Sequence, residues 1–275
     1  ILGTPAVTLQ RLNSQTNEPI SVGTDVKESE YIGNYTNSVV KVAAKNTHAM
    51  ALTQDGTLYV WGSTANGQNG RDKMGWGKFI AGEEARASGI QDIAVGEAHT
   101  VTLRRDGTVW TMGDNSHGQL GVGVNANGST LTSSTRLRKV MVDADTALTN
   151  ISAVSAGANF TLALQSVTDE NGDQINKIYV WGTYAGTRLD YATEIQVEMD
   201  GETVTDIYRL AARAEALSFL DTKGQIYVNQ NVADSDTLIK AQAGEAKDVL
   251  TSAVGAVEET DPMVGAIAAT ASNGH

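Results

Sequence analysis

The sequence predicts an all-β fold built as a β-propeller, and three observations carry the prediction. One unit recurs along the chain, with opening positions separated by 51, 61, 56 and 57 residues. Its segments are short and rich in β-branched and aromatic residues, which favours strands over helices. Asp-Gly pairs separate its apolar runs, a strong local hairpin signal. A unit of this size cannot bury its own faces, so the copies must stack on one another, and the period sets the architecture.

The first copy opens on Val42, Ala43 and Ala44, passes through His48 and Ala51-Leu52 to the Asp55-Gly56 turn, and closes on Leu58-Tyr59-Val60-Trp61-Gly62. The second repeats it without a gap: Ile93, Ala94 and Val95, His99, Thr102-Leu103, Asp106-Gly107, then Val109-Trp110-Thr111-Met112-Gly113. The third opens at Val154, carries Phe160 in the histidine slot, and lengthens the turn before Ile178-Tyr179-Val180-Trp181-Gly182. The fourth opens at Leu210, continues through Ala216 and Phe219-Leu220 to a turn from Asp221 to Gly224, and ends on Ile226-Tyr227-Val228-Asn229 without Trp-Gly. Ile267-Ala268-Ala269 begins a fifth, with His275 two places later than the pattern asks.

Three or four strands per unit match a propeller blade, whose radial closure leaves only short strand edges exposed. A β-sandwich would not account for a recurring unit. Asp-Gly between apolar runs predicts a two-residue type I′ turn, in which both central residues take positive φ.

On these positions the chain resembles the regulator of chromosome condensation repeat family, whose blades read Gly-x-x-His-Thr-x-x-Leu, Asp-Gly, Trp-Gly and then Gly-Gln-Leu-Gly. The second copy carries Gly96, His99-Thr100, Asp106-Gly107, Gly113 and Gly118-Gln119-Leu120-Gly121; Gly67-Gln68-Asn69-Gly70 is the first-copy version of the last motif. The third copy keeps Gly157 and Trp181-Gly182. The resemblance covers residues 39–275 and implies a seven-bladed propeller, of which about four to five blades are present. Residues 1–38 are then a flanking segment or the end of a preceding blade. The partial propeller runs over 39–275, with blades opening near 42, 93, 154 and 210 and a truncated one from 267. An open arc would expose apolar surface and strand edges, so the remaining blades are expected from the same full-length chain, the alternative being a partner chain that completes the ring.

Composition bounds the rest. A hydrophobic content of 41% over 275 residues supports a substantial core, and 28 glycines suit a turn-dense architecture. With no cysteine, disulfides and cysteine-ligated zinc are excluded. The longest apolar run, 263–271, is about half of the ~20 residues a spanning helix needs. The formal net charge of −12 opposes binding to a phosphate backbone, so no nucleic-acid partner is expected; Arg136-Leu137-Arg138-Lys139 is the one basic cluster.

His48 and His99 recur with the repeat, as does Phe160 in the same slot, so they read as structural, satisfying backbone groups. Trp61, Met112 and Trp181 read as blade-packing residues. No Gly-x-Ser-x-Gly, His-Glu-x-x-His or phosphate-loop pattern occurs, so no catalytic residue, metal ligand or cofactor is assigned. His117 with Asp114 and Ser116 has hydrolase ingredients without the spacing of a triad. The run from Asp169 to Asp173 offers alternating oxygen donors but lacks the glycine and glutamate of a calcium loop, and reads as a hairpin tip. That tip belongs to an insertion at 165–177. Residues 246–257 have helical spacing of apolar positions. Asn34-Tyr35-Thr36 and Asn127-Gly128-Ser129 match glycosylation acceptors.

Partner contacts are expected from aromatic and arginine side chains off the repeated core: Trp76, Arg136, Arg138 and Tyr184. The function expected is a non-catalytic scaffold for protein–protein interaction, on an exported or cell-surface bacterial protein, with a cytoplasmic location as the alternative. Guanine-nucleotide exchange on a small GTPase and proteinaceous enzyme inhibition are the competing functions that the resemblance implies.

Overall fold

Within each repeat the apolar runs pair as an antiparallel meander, and a fourth strand closes the outer edge. A computed structural model describes residues 11–12, 19–20, 39–70, 77–78, 89–125, 127–196, 198–199, 202–212, 217–224, 226–229 and 238–240. Two short strands, β1 (Arg11–Leu12) and β2 (Pro19–Ile20), pair antiparallel. Blade one comprises β3 (Val39–Lys45), β4 (His48–Thr53), β5 (Leu58–Gly62) and β6 (Gly77–Lys78). Blade two follows as β7 (Ile90–Val95), β8 (His99–Arg104), β9 (Val109–Asp114) and β10 (Ser133–Lys139). Blade three comprises β11 (Ile151–Ala156), β12 (Phe160–Thr168), β13 (Gln174–Tyr184) and β14 (Thr187–Ile195). After the short pair β15 (Glu198–Met199) and β16 (Glu202–Thr203), blade four holds β17 (Ile207–Ala212), β18 (Leu217–Asp221), β19 (Ile226–Asn229) and β20 (Leu238–Lys240). The fifth copy with His275, the 246–257 segment and Trp76 lie outside the described residues.

The first strands of successive blades pack on one another in order, β3 on β7, β7 on β11 and β11 on β17. Each of them carries a register shift near its start, between Val39 and Lys41, Ile90 and Asp92, Ile151 and Ala153, and Ile207 and Arg209. A bulge raises local twist, and one recurs at the same place in the first strand of each of the four blades.

The core lies between blades. Met50, Leu52, Leu58 and Val60 of blade one meet Ile90, Ile93, Val95 and Met112 of blade two. Val101, Leu103 and Val109 meet Ile151, Val154, Ala156 and Trp181 at the next seam. At the third, Phe160, Leu162, Leu164, Ile178 and Val180 meet Ile207, Leu217 and Phe219. The opposite face of blade one differs: Val42 is 68% exposed, whereas its counterparts Ile93 and Val154 are 1% and 7% exposed.

The hairpin turns differ from the type I′ expectation. Gly56 and Gly107 have φ of +85° and +76°, but Asp55 and Asp106 are not among the positive-φ residues. In blade one the Gly56 amide donates to Thr53 O and the Thr53 amide to Thr57 O, both at 2.9 Å, which is a three-residue turn with the left-handed glycine at its end. Asp55 sits one place earlier because its carboxylate accepts the Thr57 N–H at 2.9 Å, as Asp106 accepts that of Thr108.

The glycine of Trp-Gly has a steric cause. Gly62, Gly113 and Gly182 have φ of +98°, +117° and +96°, and a Cβ on them would lie 2.3, 2.4 and 2.2 Å from the carbonyl oxygens of Thr47, Ala98 and Asn159. Only glycine fits where the third strand passes against the first turn.

Candidate functional site

The histidine slot joins one blade to the next. His48 Nε2 lies 3.1 Å from Thr100 Oγ1, and His99 Nε2 lies 2.9 Å from Thr161 Oγ1. Thr100 donates its hydroxyl proton to Gln68 O at 2.7 Å, so it accepts from His48, and the proton of that imidazole sits on Nε2. The Nδ1 atoms of His48 and His99 have no hydrogen-bond partner among the described residues. Burial, opposed by the His99 backbone, lowers the His48 pKa to about 4; burial, with the charges of His48 and Lys45, lowers that of His99 to about 3. Both rings are neutral at pH 7. The structural reading of these histidines holds in kind, with their Nε2 atoms bonded to hydroxyls of the following blade.

At the next seam both halves of this contact are apolar. Phe160 fills the histidine slot and Leu217 the threonine position, for Leu217 pairs with Ala212 as Thr161 pairs with Ala156. They are 1% and 2% exposed and share one cluster. Glycine makes room for either ring: a Cβ on Gly96 would lie 2.0 Å from His99 Cε1, and one on Gly157 2.1 Å from Phe160 Cε1. Blade one has Lys45 at that position, its ammonium donating to Ala156 O at 3.2 Å. Burial lowers the Lys45 pKa and the charge of Glu97 opposes it.

The Gly-Gln-x-Gly loops form a second set of seams. Trp181 Nε1 donates to Gln119 O at 3.0 Å, and a Cβ on Gly121 would meet that indole at 2.7 Å. Gln119 is fixed from both sides, its Nε2 donating to Asp114 at 2.8 Å and its Oε1 accepting the His117 N–H at 2.8 Å. The same network settles the hydrolase ingredients, because Ser116 Oγ donates to Asp114 Oδ2 at 2.6 Å. Serine and carboxylate together cap a loop, and no hydrogen bond joins the exposed His117 ring to either.

At the blade-three tip Asp169 accepts the backbone N–H groups of Asn171 and Asp173 at 2.8 and 2.9 Å. These bonds, led by that of Asp173, hold its carboxyl below the usual range, and the backbone bonds of this turn repeat those of blade one with Asp169 in the place of Thr53. Among the described residues no group of three or more His, Cys, Asp or Glu is placed to hold a metal, and no helix is long and apolar enough to cross a membrane.

The proposed contact residues separate. Arg136 and Arg138 are exposed on β10, the outermost strand of blade two, and Lys139 is exposed beside them. Tyr184 is a correction. It is 5% exposed and its ring centroid is 5.1 Å from that of Phe160, because β13 continues two residues past Trp181-Gly182 and carries it into the blade-three seam. The 165–177 insertion continues the ladder as far as Thr168 opposite Gln174. Its flank forms a cleft of about 220 Å³ with Ile175, Ile178, Ile195 and Val204 on its walls, where Lys177 pairs with Glu194 at 3.0 Å.

Comparison with known proteins finds the same repeats. Residues 39–68 and 90–119 match one model of the Regulator of chromosome condensation (RCC1) repeat, and residues 106–164 match another. The chain is 28% identical over 181 residues to the human E3 ubiquitin-protein ligase HERC2, covering 62% of this chain and 3% of that protein. It is 34% identical over 85 residues to the mouse Regulator of chromosome condensation, 30% of this chain and 20% of that one. The chain thus spans a small part of each of these relatives, and the ligase activity in the first name belongs to that protein. Among solved structures it is similar to human WBSCR16, with a TM-score of 0.58, 16% identity, and coverage of 78% of this chain and 56% of that one. It is also similar to Prp20p from Saccharomyces cerevisiae, with a TM-score of 0.52, 20% identity, and coverage of 70% and 43%. Residues 39–68 and 90–164 thus match regulator of chromosome condensation repeats, and the described sheets stack as consecutive blades of a β-propeller.

Proposed function

We propose that the protein is a non-catalytic scaffold for protein–protein interaction. The observation that carries this reading is a division of labour. The recurring side chains are used to join blades, while the elaborations peculiar to single blades, the basic β10 strand and the long β12–β13 hairpin, stand outside that frame. A rigid frame with divergent rims is the arrangement that places binding segments accurately. Prp20p, similar in fold, has been studied for binding to Gsp1p and histones and has been solved with Kap60 bound, so one protein of this fold has protein partners.

The test is chemical cross-linking of the full-length protein in its host, with the linked residues mapped onto the blades. Cross-links to a partner concentrated on β10 and on 165–177 are expected. A specific hydrolytic or transfer activity abolished by one point substitution would overturn the proposal. We extend it to an exported or cell-surface bacterial protein, supported by the absence of cysteine; retention of a full-length reporter fusion inside the cell would remove that extension.

A further inference from the structure

The scaffold reading leaves the chemistry of the partner open, and the following rests on that reading. We infer that the outer edge of blade two, formed by Arg136, Arg138 and Lys139 on β10, docks a carboxylate-rich segment of a protein partner through side chains, not by strand addition.

Charge is the first argument. The chain carries −12 overall, yet three cations fall within four residues, all exposed on one strand. The ion pairs among the described residues are Lys41–Asp92, Lys177–Glu194, Arg188–Asp190 and Lys223–Asp206, and none involves these three. Three neighbouring cations without carboxylates raise the local potential, and a complementary segment lowers it.

The backbone supplies the second argument. The register of β10 against β9 shifts between Ser134 and Arg138. Ser134 Oγ donates to Arg136 O at 2.7 Å and accepts the Arg136 N–H at 3.1 Å. The backbone N–H and C=O of Arg136 are thereby satisfied by a side chain of the same strand, and the strand is kinked there, which disfavours an added strand. The same hydroxyl accepts Arg138 Nε at 3.3 Å, so this guanidinium is oriented before any partner arrives.

Rigidity is the third. Leu137, between the two arginines, packs on the seam of blades one and two. A Cβ on Gly67 of blade one would lie 2.9 Å from both Ser134 O and the Thr135 side chain, so the blade-one loop abuts the strand. Lys139 Nζ lies 5.2 Å from the centre of the Trp110 ring, which also holds the Arg104 guanidinium at 3.8 Å. Cations held in place lose little freedom on binding, which favours affinity. A nucleic acid fits less well, because three cations neutralise few phosphates and the remaining charge repels the backbone.

The experiment is fluorescence anisotropy with the whole protein and three labelled probes: a peptide of Glu, Asp, Ser and Leu, its Gln/Asn counterpart, and a single-stranded oligonucleotide matching the acidic peptide in net charge. The expected result is preference for the acidic peptide, affinity that falls as salt rises, and a loss of about tenfold or more in R136Q/R138Q/K139Q at low salt. These side chains are exposed, so the variant should melt within about 3 °C of wild type. The salt titration of the unmodified protein is a measurement independent of the variant. Equal binding of the oligonucleotide, no preference over the neutral peptide, or unchanged acidic-peptide binding in R136Q/R138Q/K139Q would each overturn the inference. A partner cross-linked equally to wild type and variant would remove this site and leave the scaffold reading intact; no partner cross-linked to either would remove the scaffold reading itself.

Discussion

Replacing His99 by Phe removes the hydrogen-bond partner of the hydroxyl of Thr161, a threonine with no exposed surface. A buried hydroxyl left unpaired costs roughly 1–3 kcal/mol. Replacing Thr161 by Leu alone should cost a similar amount, because it leaves both nitrogens of a buried imidazole without partners. Combined, H99F and T161L reproduce the Phe160–Leu217 contact of the following seam. Gly96 already gives His99 the clearance that Gly157 gives Phe160. The double variant should therefore be more stable than the sum of the single losses predicts, by about 1–3 kcal/mol. Equilibrium urea unfolding of the four proteins at pH 7.5 measures the cycle; that pH is about one unit above the ordinary histidine pKa, so both imidazoles are neutral in folded and unfolded chains. Additive losses, or a single H99F cost below about 0.5 kcal/mol, would refute the seam argument.

The remaining predictions use the same seams. The histidine pKa values of about 4 and about 3 in the folded protein lie below the ordinary 6.5, so the unfolded chain binds protons first. The stability contributed is complete above pH 6.5 and declines as pH falls toward 4 and 3, by up to about 1.4 kcal/mol per pH unit for each histidine; denaturant midpoints between pH 7 and 4 should show the slope, reduced in H99F/T161L. Gly182→Ala should cost more than about 3 kcal/mol, because its Cβ would strike Asn159 O, whereas Gly172→Ala, with φ of +90° but no atom within 4 Å of the added carbon, should cost about 1–2 kcal/mol. Similar losses for the two would show that steric approach is not what selects the Trp-Gly glycine. Ile93→Ala should lose about 2–5 kcal/mol and Val42→Ala no more than about 0.5 kcal/mol, since equivalent positions in the repeat are 1% and 68% exposed; equal losses in thermal unfolding would contradict the open blade-one face.

The sequence by itself determined the first three strands of each described blade and their order, because the alternating pattern and the Asp-Gly turns are local properties of the chain, whereas the fourth strands carry no such repeated signal. The histidine slot and the Trp-Gly glycine were legible as structural because they recur. Their partners were not. The run His99-Thr100-Val101-Thr102-Leu103-Arg104 alternates as a strand with one wet face would, yet every residue in it is buried. Only stacking decides this: Val101 and Leu103 face blade three, while Thr100 bonds to blade one through His48 and Gln68. The threonine following the slot residue in copies two and three was the available signal. Arg136 and Arg138 could be chosen from sequence as basic side chains off the repeat, but the register shift and the Ser134 bonds that orient them appear only in the folded sheet. Tyr184 went the other way, since continuation of β13 carried an apparent rim aromatic into a seam. A repeat pattern specifies which face of a strand is apolar, whereas which neighbour covers that face is set by contacts such as those between residues 52 and 62 positions apart, and these exist only once the blades are stacked.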